Sequence, residues 1–283
     1  MTEIISWNVQ ACRGVDGRED LARICEVIRR MGGADVICLQ EVAQNMRAAD
    51  GEAGADQVAA FAQAFPDHQA FFGAAVDLAG EFGARQRFGN LVLSRISVIQ
   101  CFTHPLPQPP DPGVLQMPRQ ASEVVVASGE DALRITTTHL EYHSAVQRLA
   151  QVSRLLDIHE EIGARAHRPP RFAEQGPYAK TPRPPSAVLC GDFNFTPDDE
   201  AYRLITSGTG DGAPRLVDAW RSAHGKRPHA PTCGVFDHAQ WPQGAHCRDF
   251  FFVTEDIAAR VGSIEVDVET DASDHQPVKL RID

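Results

Sequence analysis

The sequence is poor in positive charge, and this narrows the partners it can have. Its 283 residues include 27 lysines and arginines against 38 aspartates and glutamates, a formal net charge of −11 at pH 7. Proteins that bind polyanions without specificity are usually basic, so that class is disfavoured. An acidic chain can still act on a phosphate where a divalent cation and a few local basic residues supply the positive charge.

Long apolar runs and paired cysteines are missing as well. No run approaches the roughly 18 apolar residues of a transmembrane helix, and the chain opens on the strand-like Ile4–Trp7 rather than on a basic and then an apolar segment. We therefore expect neither a membrane span nor a signal peptide. The seven cysteines form no C-x-x-C, and Cys38 and Cys190 lie within apolar runs. This pattern predicts reduced, buried thiols in a cytoplasmic protein rather than a disulfide framework.

Several well-known site motifs are also absent. The sequence has no G-x-G-x-x-G after a strand, no Walker loop and no G-x-S-x-G. It does contain zinc-type side chains within a short stretch, namely Cys233, His238, His246 and Cys247. Their spacing matches no standard zinc knuckle or finger, so a zinc site is the less favoured interpretation.

Apolar runs and helical periodicity predict a mixed α and β chain. Strands are expected at 3–9, 35–39, 88–94, 123–127, 133–138, 187–190, 250–253 and 277–282. Helices are expected at 19–30, 58–65 and 146–162, with another starting near 197–200. Strands outnumber helices and no composition shift marks a boundary. We therefore expect one domain over residues 1–283, an α/β or α+β fold with helices covering β-sheets.

Two loops are stiffened by proline. The segment 108–112 is one, and the longer connection 164–186 is the other. The longer loop carries Arg165, Arg168, Arg171, Lys180 and Arg183. A solvated surface loop is the favoured interpretation, and contact with a nucleic-acid backbone is the alternative.

Five short segments place carboxylates, amides or imidazoles at the ends of these strands. They are residues 6–8 (Ser-Trp-Asn), 39–41 (Leu-Gln-Glu), 138–141 (Thr-His-Leu-Glu), 191–194 (Gly-Asp-Phe-Asn) and 273–275 (Ser-Asp-His). Polar groups collected at strand ends from the whole chain are what a metal-assisted active site on a β-scaffold requires. The pattern makes this chain a candidate enzyme.

The Gly-Asp-Phe-Asn segment is the most specific of the five. Asp192 and Asn194 are two positions apart, and Gly191 allows the backbone to turn closely. A carboxylate beside an amide can orient a water molecule and hold a phosphate oxygen. An Asx-turn that closes the strand is the structural alternative.

The other strand ends offer complementary chemistry. Asp274 and His275 join a hard carboxylate to a titratable imidazole, which suits metal ligation by one and proton transfer by the other. A polar turn before a strand would use the same residues. Asp249, at the start of a predicted strand, could orient a histidine. Oxygen donors of the kind that Mg²⁺ prefers are found at Asn8 and Glu41.

Taken in order, these segments resemble the endonuclease/exonuclease/phosphatase superfamily, which has the DNase I-like fold. Its pattern of S-W-N, L-Q-E, T-H-L, G-D-F-N, an R-x-D-like strand and S-D-H-x-P-V runs here from Ser6 to Val278. Residues 88–95 and the pair Arg148 and Gln151 also look familial. The resemblance implies a four-layer αββα sandwich of two packed mixed β-sheets flanked by helices.

The resemblance also implies roles for individual residues. The ligands of a Mg²⁺ or Mn²⁺ ion would be Asn8, Glu41 and Asp274. Asp192 would position or activate the attacking water, and Asn194 and His139 would bind the scissile phosphate. His275, oriented by Asp249, would act as general acid/base. By a looser match, Arg119 would contact the phosphate.

Some positions depart from the family pattern. His139 stands where abasic-site endonucleases usually have Tyr, so the chain is more similar to the branch of DNase I, sphingomyelinases, deadenylases and inositol-phosphate phosphatases. Phe250 follows Asp249 where Tyr is commoner, and Arg248 precedes it without the usual aliphatic spacer. Gln86 falls where DNase I-type nucleases have a Glu paired with the histidine, which makes His139 less favoured as a cation.

The implied function is metal-dependent hydrolysis of a phosphoester by in-line water attack. A nuclease or nucleotide phosphodiesterase is the first choice, with nucleic acid among the expected substrates. A phosphomonoesterase, a sphingomyelinase-like lipid phosphodiesterase and an inositol-phosphate phosphatase are the alternatives. A non-catalytic binding protein that keeps the fold is the rival from another class. That rival predicts decay of the polar set, whereas every expected residue is present.

Overall fold

The helices and strands alternate along the chain, and the computed structural model describes residues 1–46, 54–80, 83–129, 131–208 and 212–283. The helices are α1 (Leu21–Arg30), α2 (Gln57–Ala64), α3 (Ala145–His167), α4 (Glu200–Thr206), α5 (Ala219–His224) and α6 (Glu255–Ala258). The strands are β1 (Thr2–Asn8), β2 (Val36–Gln44), β3 (Gln69–Ala79), β4 (Arg85–Ser94), β5 (Val98–Pro105), β6 (Gln120–Ser128), β7 (Asp131–His139), β8 (Ala187–Asp192), β9 (Leu216–Asp218), β10 (Asp249–Thr254), β11 (Val261–Val266) and β12 (Val278–Ile282). No helix in the described ranges is long and apolar enough to cross a membrane.

The described strands form two six-stranded sheets that pack face to face. The first sheet has the order β11-β12-β1-β2-β4-β3, and the second has the order β5-β6-β7-β8-β10-β9. Both are mixed, because β1 pairs with β2 and β7 pairs with β8 in parallel while the other neighbours are antiparallel. The predicted four-layer αββα sandwich is confirmed.

Hydrophobic clusters in the described part of the chain hold these layers together. One fills the space between the sheets and includes Val36 and Val188. A second lies between the first sheet and its helices and includes Trp7 and Ile24. A third, which includes Val152 of α3, lies on the outer face of the second sheet. Each sheet therefore buries both of its faces, which explains why its central strands have continuous apolar sequences.

Most predicted elements are present, with shifts at their ends. Helix α1 begins after the predicted residue 19 because the Asp20 side chain caps it by accepting from the Arg23 N–H at 3.0 Å. The helix predicted at 146–162 extends to His167, so the connection predicted from 164 starts later. The strand predicted at 35–39 continues to Gln44 beyond a bulge.

The sequence patterns miss strands β3, β5, β9 and β11, which are the edge strands of the two sheets. An edge strand buries less of its surface than a central one, so its apolar signal is weaker. In β5, partly buried and exposed residues alternate along all eight positions. Strand β3 is rich in alanine and has a glycine, which are residues with low β-propensity.

The proline-rich segment 168–186 lies at the end of the second sheet opposite to the predicted site residues. Its Arg183 stacks on the ring of Phe102 at 3.8 Å, and a groove there is also lined by Asp131, the first residue of β7. His139 is the last residue of the same strand, about 25 Å away along the strand axis. The alternative in which this loop contacts a substrate bound at the site is therefore disfavoured.

A buried ionic cluster on the outer face of the second sheet is centred on Glu123. This carboxylate accepts from Arg183 Nε at 2.7 Å, and Arg134 Nη1 and His104 Nε2 lie at 3.5 and 3.3 Å. Burial raises the pKa of Glu123, but the hydrogen bonds from His104 and Arg183 and the charge of Arg134 outweigh it and hold the pKa at about 2. The carboxylate therefore stays ionised inside the fold.

Replacing Glu123 with Gln should destabilise the fold, because it leaves Arg134 buried without its carboxylate. We expect the free energy of unfolding to fall by about 3 kcal/mol, the usual cost of breaking one side of a buried ion pair. Since the folded pKa lies below the unfolded value of about 4.3, the stabilisation is present above about pH 4.3 and is lost as the pH falls towards 2. Urea and thermal unfolding measure the difference.

The matched control is Arg154→Gln, which removes the exposed pair between Arg154 and Glu161. It should change the free energy of unfolding by no more than about 0.5 kcal/mol. A Glu123→Gln variant as stable as this control would contradict the prediction.

Candidate active site

The register of the second sheet brings three predicted residues side by side. Asp192, at the end of β8, lies opposite His139 of β7 on one side and Asp249 of β10 on the other. All three side chains are buried. Because β7 and β8 are parallel, they end at the same edge of the sheet, and the antiparallel β10 begins there. Asp192 therefore lies at the centre of the row.

The first sheet brings Asn8 and Glu41 to the same edge. Asn8 is in register with Gln40, and Glu41 follows at the bulge with a φ of 59°. A positive φ at a residue with a Cβ costs on the order of 1 kcal/mol, and residues with such strain are enriched at functional sites. The Asn8 Nδ2 donates to Glu41 Oε1 and to Asp192 Oδ2, both at 3.0 Å. This amide therefore joins the two sheets across the site.

The turn after β8 is tight. It is consistent with both interpretations of the sequence, an Asx-turn that closes the strand and a pair of polar side chains at the site. Asp192 Oδ1 accepts from the Asn194 backbone N–H at 2.9 Å, which is the Asx-turn. The Asn194 side-chain Nδ2 donates to Leu140 O at 2.9 Å, and its backbone φ is 53°. Gly191 is required here, because a Cβ at this position would lie 1.9 Å from Thr138 O. The turn closes the strand and still brings Asn194 to the cleft.

Asp249 and His275 form a hydrogen-bonded pair beside Asp192. His275 Nδ1 lies 2.8 Å from Asp249 Oδ2, and Nε2 on the other side of the ring lies 3.6 Å from Asp192 Oδ2. Burial lowers the pKa of His275, but the charges of Asp249, Asp192 and Asp274 raise it well above its usual value. The ring is therefore an imidazolium that Asp249 orients towards Asp192.

Carboxylates from both sheets face the same space. Burial raises the pKa of Glu41 to about 7; the Asn8 hydrogen bond opposes this effect, and the charge of Asp274 adds to it. The pKa of Asp274 is also raised, chiefly by burial. Burial acts in the same direction on Asp192, but the neighbouring His275 lowers the pKa of that carboxyl below its usual value. The space between these groups favours a cation.

The donor set fits a hard divalent cation. Glu41 and Asp274 offer carboxylate oxygens of the kind that Mg²⁺ or Mn²⁺ prefers. Asn8 is turned the other way, since its Oδ1 accepts from the Gln10 N–H at 3.0 Å while its Nδ2 faces the carboxylates. Ligation by Asn8 therefore requires its amide to turn over, and the role of this residue as a ligand stays a prediction.

A second grouping could also hold an ion by distance alone. Asp192, Asp249 and His275 each offer a ligand atom, and these atoms lie within 4.8 Å of one another. The 2.8 Å hydrogen bond between His275 Nδ1 and Asp249 Oδ2 already uses two of the donors. We therefore interpret this group as a hydrogen-bonded pair facing a carboxylate.

His139 is buried and neutral. Its Nε2 lies 3.4 Å from Asp192 Oδ2, and its Nδ1 lies 3.8 Å from Glu41 Oε1. Burial, with a contribution from the Arg119 charge, lowers the pKa of His139 to about 3. A neutral imidazole can donate one N–H to a phosphate oxygen but carries no charge to it. This agrees with the sequence expectation that His139 is less favoured as a cation where Gln86 replaces the Glu.

Arg119 is the basic residue at the cleft floor. Its Nε donates to Glu141 Oε2 at 3.2 Å, and its side chain is 6% exposed. Its Nη1 is buried without a partner among the described residues, and the residue lines the cleft beside His139. A buried guanidinium N–H without a partner is rare in folded proteins and is suited to an anionic ligand.

The cleft has a volume of about 490 Å³ and contains more residues than the sequence identified. The predicted members are Glu41, Arg119, His139, Asp192, Asn194, Asp274 and His275, and the added walls include Leu115, Glu141, Tyr142, Gln240 and Trp241. Glu141 and Tyr142 directly follow the T-H-L segment, so their sequence positions indicate that they lie near the cleft. No motif marks Gln240, whose Nε2 donates to Asp274 Oδ2 at 3.0 Å.

The zinc interpretation finds no support in the described residues. His238 is exposed, and Cys247 Sγ donates to Asp249 O at 3.3 Å. Cys233 Sγ lies 3.3 Å from His246 Nε2, but that nitrogen also accepts from Arg248 Nε at 2.8 Å. All seven cysteines are free, and all but Cys101 are buried.

Replacing Glu41 with Gln should stabilise the metal-free protein at neutral and higher pH. The folded pKa of about 7 exceeds the unfolded value of about 4.3, so the folded wild type binds the extra proton. Its stability then falls as the pH rises from about 4.3 to 7. Glu41→Gln removes this loss and keeps an oxygen that accepts from Asn8. Melting temperatures in EDTA from pH 5 to 8 measure the effect.

The comparison is made between variant and wild type at each pH, so that other titrating groups cancel. The melting temperature of Glu41→Gln should exceed that of wild type by more at pH 8 than at pH 5. Addition of Mg²⁺ or Mn²⁺ should reduce the gap, because a cation that binds the ionised Glu41 of the wild type offsets the cost of burying this charge. A constant gap across the pH range would contradict the assigned pKa.

Proteins of known structure share the fold of this chain. The model of the Endonuclease/Exonuclease/phosphatase family matches residues 5–275. A family structure from Beutenbergia cavernae is 25% identical, with a TM-score of 0.70 over 99% of this chain and 71% of that chain. A mannosyl-6-phosphatase from Bacteroides thetaiotaomicron is 16% identical, with a TM-score of 0.67 over the whole of both chains, at 100% and 100%. A 3′ phosphatase from Neisseria bound to a product DNA hairpin is 17% identical, with a TM-score of 0.63 over 100% of each chain.

Among curated proteins no match is found. The family model spans nearly all of the 283 residues and includes strand ends from both sheets. The chain therefore belongs to the Endonuclease/Exonuclease/phosphatase family.

Proposed function

We propose that this protein is a divalent-metal-dependent phosphoester hydrolase whose preferred substrate is a phosphodiester. The observation that carries the proposal is the meeting of opposite charges in one cleft. Asp192 is an ionised carboxylate, His275 is an imidazolium 3.6 Å from it, and Arg119 has a buried N–H without a partner among the described residues. For attack of water on phosphorus, Asp192 provides a base, His275 provides an acid, and Arg119 provides a donor that binds the anionic phosphate.

Asp192 is the group that accepts the proton of the attacking water. Its lowered pKa keeps it ionised, and the hydrogen bonds from Asn8 and from the Asn194 N–H fix both of its oxygens. A carboxylate with a fixed orientation can hold a water molecule in line with the bond to be broken. The entropy that is lost when the reactants are oriented is then lost on binding, before the reaction begins.

The donors on the phosphate differ in charge. His275 carries a proton that Asp249 holds in place, and it can donate to a phosphate oxygen or to the leaving group. Asn194 and the neutral His139 can donate without charge, and Arg119 donates with charge. Removal of one such fixed donor typically lowers the rate by about 10²–10³-fold.

The residues that would hold Mg²⁺ or Mn²⁺ are Glu41 and Asp274, with Asn8 after its amide turns. The ion would neutralise negative charge on the phosphate oxygens. The raised pKa values of Glu41 and Asp274 support this role, because they come chiefly from burial of the two carboxyl groups, and a bound cation would offset the cost of burying their negative charge. The seven free cysteines further support a reducing compartment, so we propose a cytoplasmic location.

The choice of a diester rests on the shape and lining of the cleft. Apolar surface from Leu115 and Tyr142 lies beside the polar set, so both substituents of a diester can find contacts. Two structures similar to this chain are a mannosyl-6-phosphatase and a 3′ phosphatase, so phosphomonoesters belong in every substrate panel. Plasmid DNA, RNA, bis-p-nitrophenyl phosphate and p-nitrophenyl phosphate separate these classes.

Metal removal should abolish hydrolysis. Treatment with EDTA followed by desalting is expected to reduce turnover of bis-p-nitrophenyl phosphate to background. Without the cation, the negative charge of the carboxylates repels the phosphate of the substrate. Addition of Mg²⁺ or Mn²⁺ should restore the rate. Full activity in EDTA would remove the ion from the proposal.

Replacing Asp192 with Asn should lower kcat by about 10²–10⁴-fold, the usual contribution of a general base. The amide keeps the shape and can still accept from Asn8, so folding should be preserved and can be checked by thermal unfolding. The matched control is Asp157→Asn on the exposed face of α3. If Asp192→Asn turns over the substrate about as fast as the control with the metal present, Asp192 is not the general base.

A further inference from the structure

We propose that Arg148 and Arg248 form a second anion-binding subsite beside the cleft, which takes a second phosphate of the substrate. The inference rests on the proposed phosphoester hydrolysis and narrows its substrate class. It implies a substrate with at least two phosphates, as an oligonucleotide or a nucleoside polyphosphate has. We call this pair of residues the basic pair.

Arg248 is held against the wall of the cleft. Its Nη1 donates to Asn194 O at 3.0 Å. Its guanidinium carbon lies 4.8 Å from the ring centre of Trp241 and 5.4 Å from that of Tyr142. All three of these neighbours line the cleft. The aromatic rings fix the plane of the guanidinium without neutralising its charge.

His246 completes the setting of Arg248. The Arg248 Nε donates to His246 Nε2 at 2.8 Å, and His246 Nδ1 lies 2.8 Å from Gly244 O. This arrangement requires a neutral ring that donates from Nδ1 and accepts at Nε2. The guanidinium is thus bound by a carbonyl, an imidazole and two rings, none of which carries a negative charge.

Arg148 is held in a similar way from α3. Its Nη1 donates to Glu141 O at 2.8 Å and to Tyr142 O at 3.1 Å. Gln151, one turn further along α3, accepts from the Glu141 N–H at 2.9 Å. The segment that follows His139 is therefore fastened to α3, and Arg148 is directed at the same Tyr142 that contacts Arg248.

The basic pair is close enough for the two charges to repel. Burial lowers the pKa of Arg148; Asp199 opposes this effect, and the charge of Arg248 adds to it. Neither arginine forms a salt bridge with a carboxylate of the described residues, whereas Arg119, Arg134 and Arg183 each do. The carboxylates whose charges act on Arg148, with Asp199 first among them, lie beyond salt-bridge distance, so both half-buried guanidinium groups are left to bind a phosphate directly.

Donors remain available on both residues. The Nη2 of Arg248 and the Nε and Nη2 of Arg148 make no hydrogen bond to any residue in the described ranges. None of these atoms is among the buried polar atoms without a partner, so they are open to solvent. Guanidinium N–H groups in this state match phosphate oxygens, and they are additional to the unpartnered N–H of Arg119, which we assign to the scissile phosphate.

The test compares substrates with one and with several phosphates in the metal-loaded enzyme. The quantity is the ratio of kcat/KM for a trinucleotide to kcat/KM for bis-p-nitrophenyl phosphate. Arg248→Gln and Arg148→Gln should each lower this ratio by about 10-fold, the usual effect of losing a charge-assisted contact. Arg154→Gln, an equal charge change on α3, should leave the ratio within about twofold.

Further measurements separate the sources of the second phosphate. The slope of log KM for the trinucleotide against log salt should fall by ~0.7 in each variant, as expected for one lost contact on a single strand. A nucleoside triphosphate tests whether an anhydride-linked phosphate reaches the basic pair. A loss for the triphosphate alone assigns the subsite to polyphosphates, and a loss for the trinucleotide alone assigns it to nucleic acid.

Each remaining outcome decides the proposal. If kcat/KM falls equally for the trinucleotide and for bis-p-nitrophenyl phosphate, the basic pair only stabilises the position of residues 141–142, and the proposal is wrong. Arg248→Lys guards against misfolding, since it keeps the charge and should give an intermediate ratio. If wild type hydrolyses no phosphoester, the proposed function fails and binding of a fluorescent tetranucleotide decides the subsite. Affinity must then fall in both arginine variants relative to Arg154→Gln, and an unchanged affinity overturns the proposal.

Discussion

The burial of one ionised carboxylate, Asp192, is the constraint on which the rest of the site depends. A carboxylate that is 1% exposed would take up a proton unless positive charge and hydrogen bonds compensated it. The compensation comes from His275, from the amide of Asn8 and from the Asn194 N–H. Because Asn8 belongs to the first sheet and Asp192 to the second, the state of this carboxylate depends on how the two sheets pack.

A second polar link maintains that packing. Gln40 Nε2 donates to Ser6 Oγ at 3.2 Å within the first sheet and to Thr137 Oγ1 at 2.8 Å in the second. Ser6 and Gln40 are motif residues that do not line the cleft, and their role is to hold the sheet edges together next to it. Backbone strain at Glu41 and Asn194 is tolerated because these contacts and the apolar cores fix the surrounding strands.

The electrostatic organisation explains how an acidic chain can be suited to phosphates. Negative charge is concentrated at Glu41, Asp192 and Asp274, where it favours a cation. Positive charge is limited to a few side chains around them, namely Arg119 and His275 in the cleft and the basic pair beside it. This distribution differs from the broad basic surface of a non-specific nucleic-acid binder, and it agrees with a net charge of −11.

Much of the fold and most of the site could be predicted from strand ends. Central strands such as β8 are apolar on both faces, so their ends are visible in the sequence, and Asp192 or Glu41 follows directly. The edge strands β3, β5, β9 and β11 bury less surface and leave no such signal. Gln240 and Trp241 give no signal in the sequence, because their place in the cleft depends on loops whose course local periodicity does not report.

The sequence by itself therefore determined which polar residues end which buried strands, because a strand that is buried on both faces requires a continuous apolar run, and the end of that run is visible in the sequence. Only the tertiary structure decided which partner each polar group meets. It turned the Asn8 amide towards two carboxylates, paired Arg119 with Glu141, and brought Arg148 and Arg248 together although they are 100 positions apart. The physical reason is that hydrogen bonds and charges act over a few ångströms in space, and the packing of two sheets sets those distances.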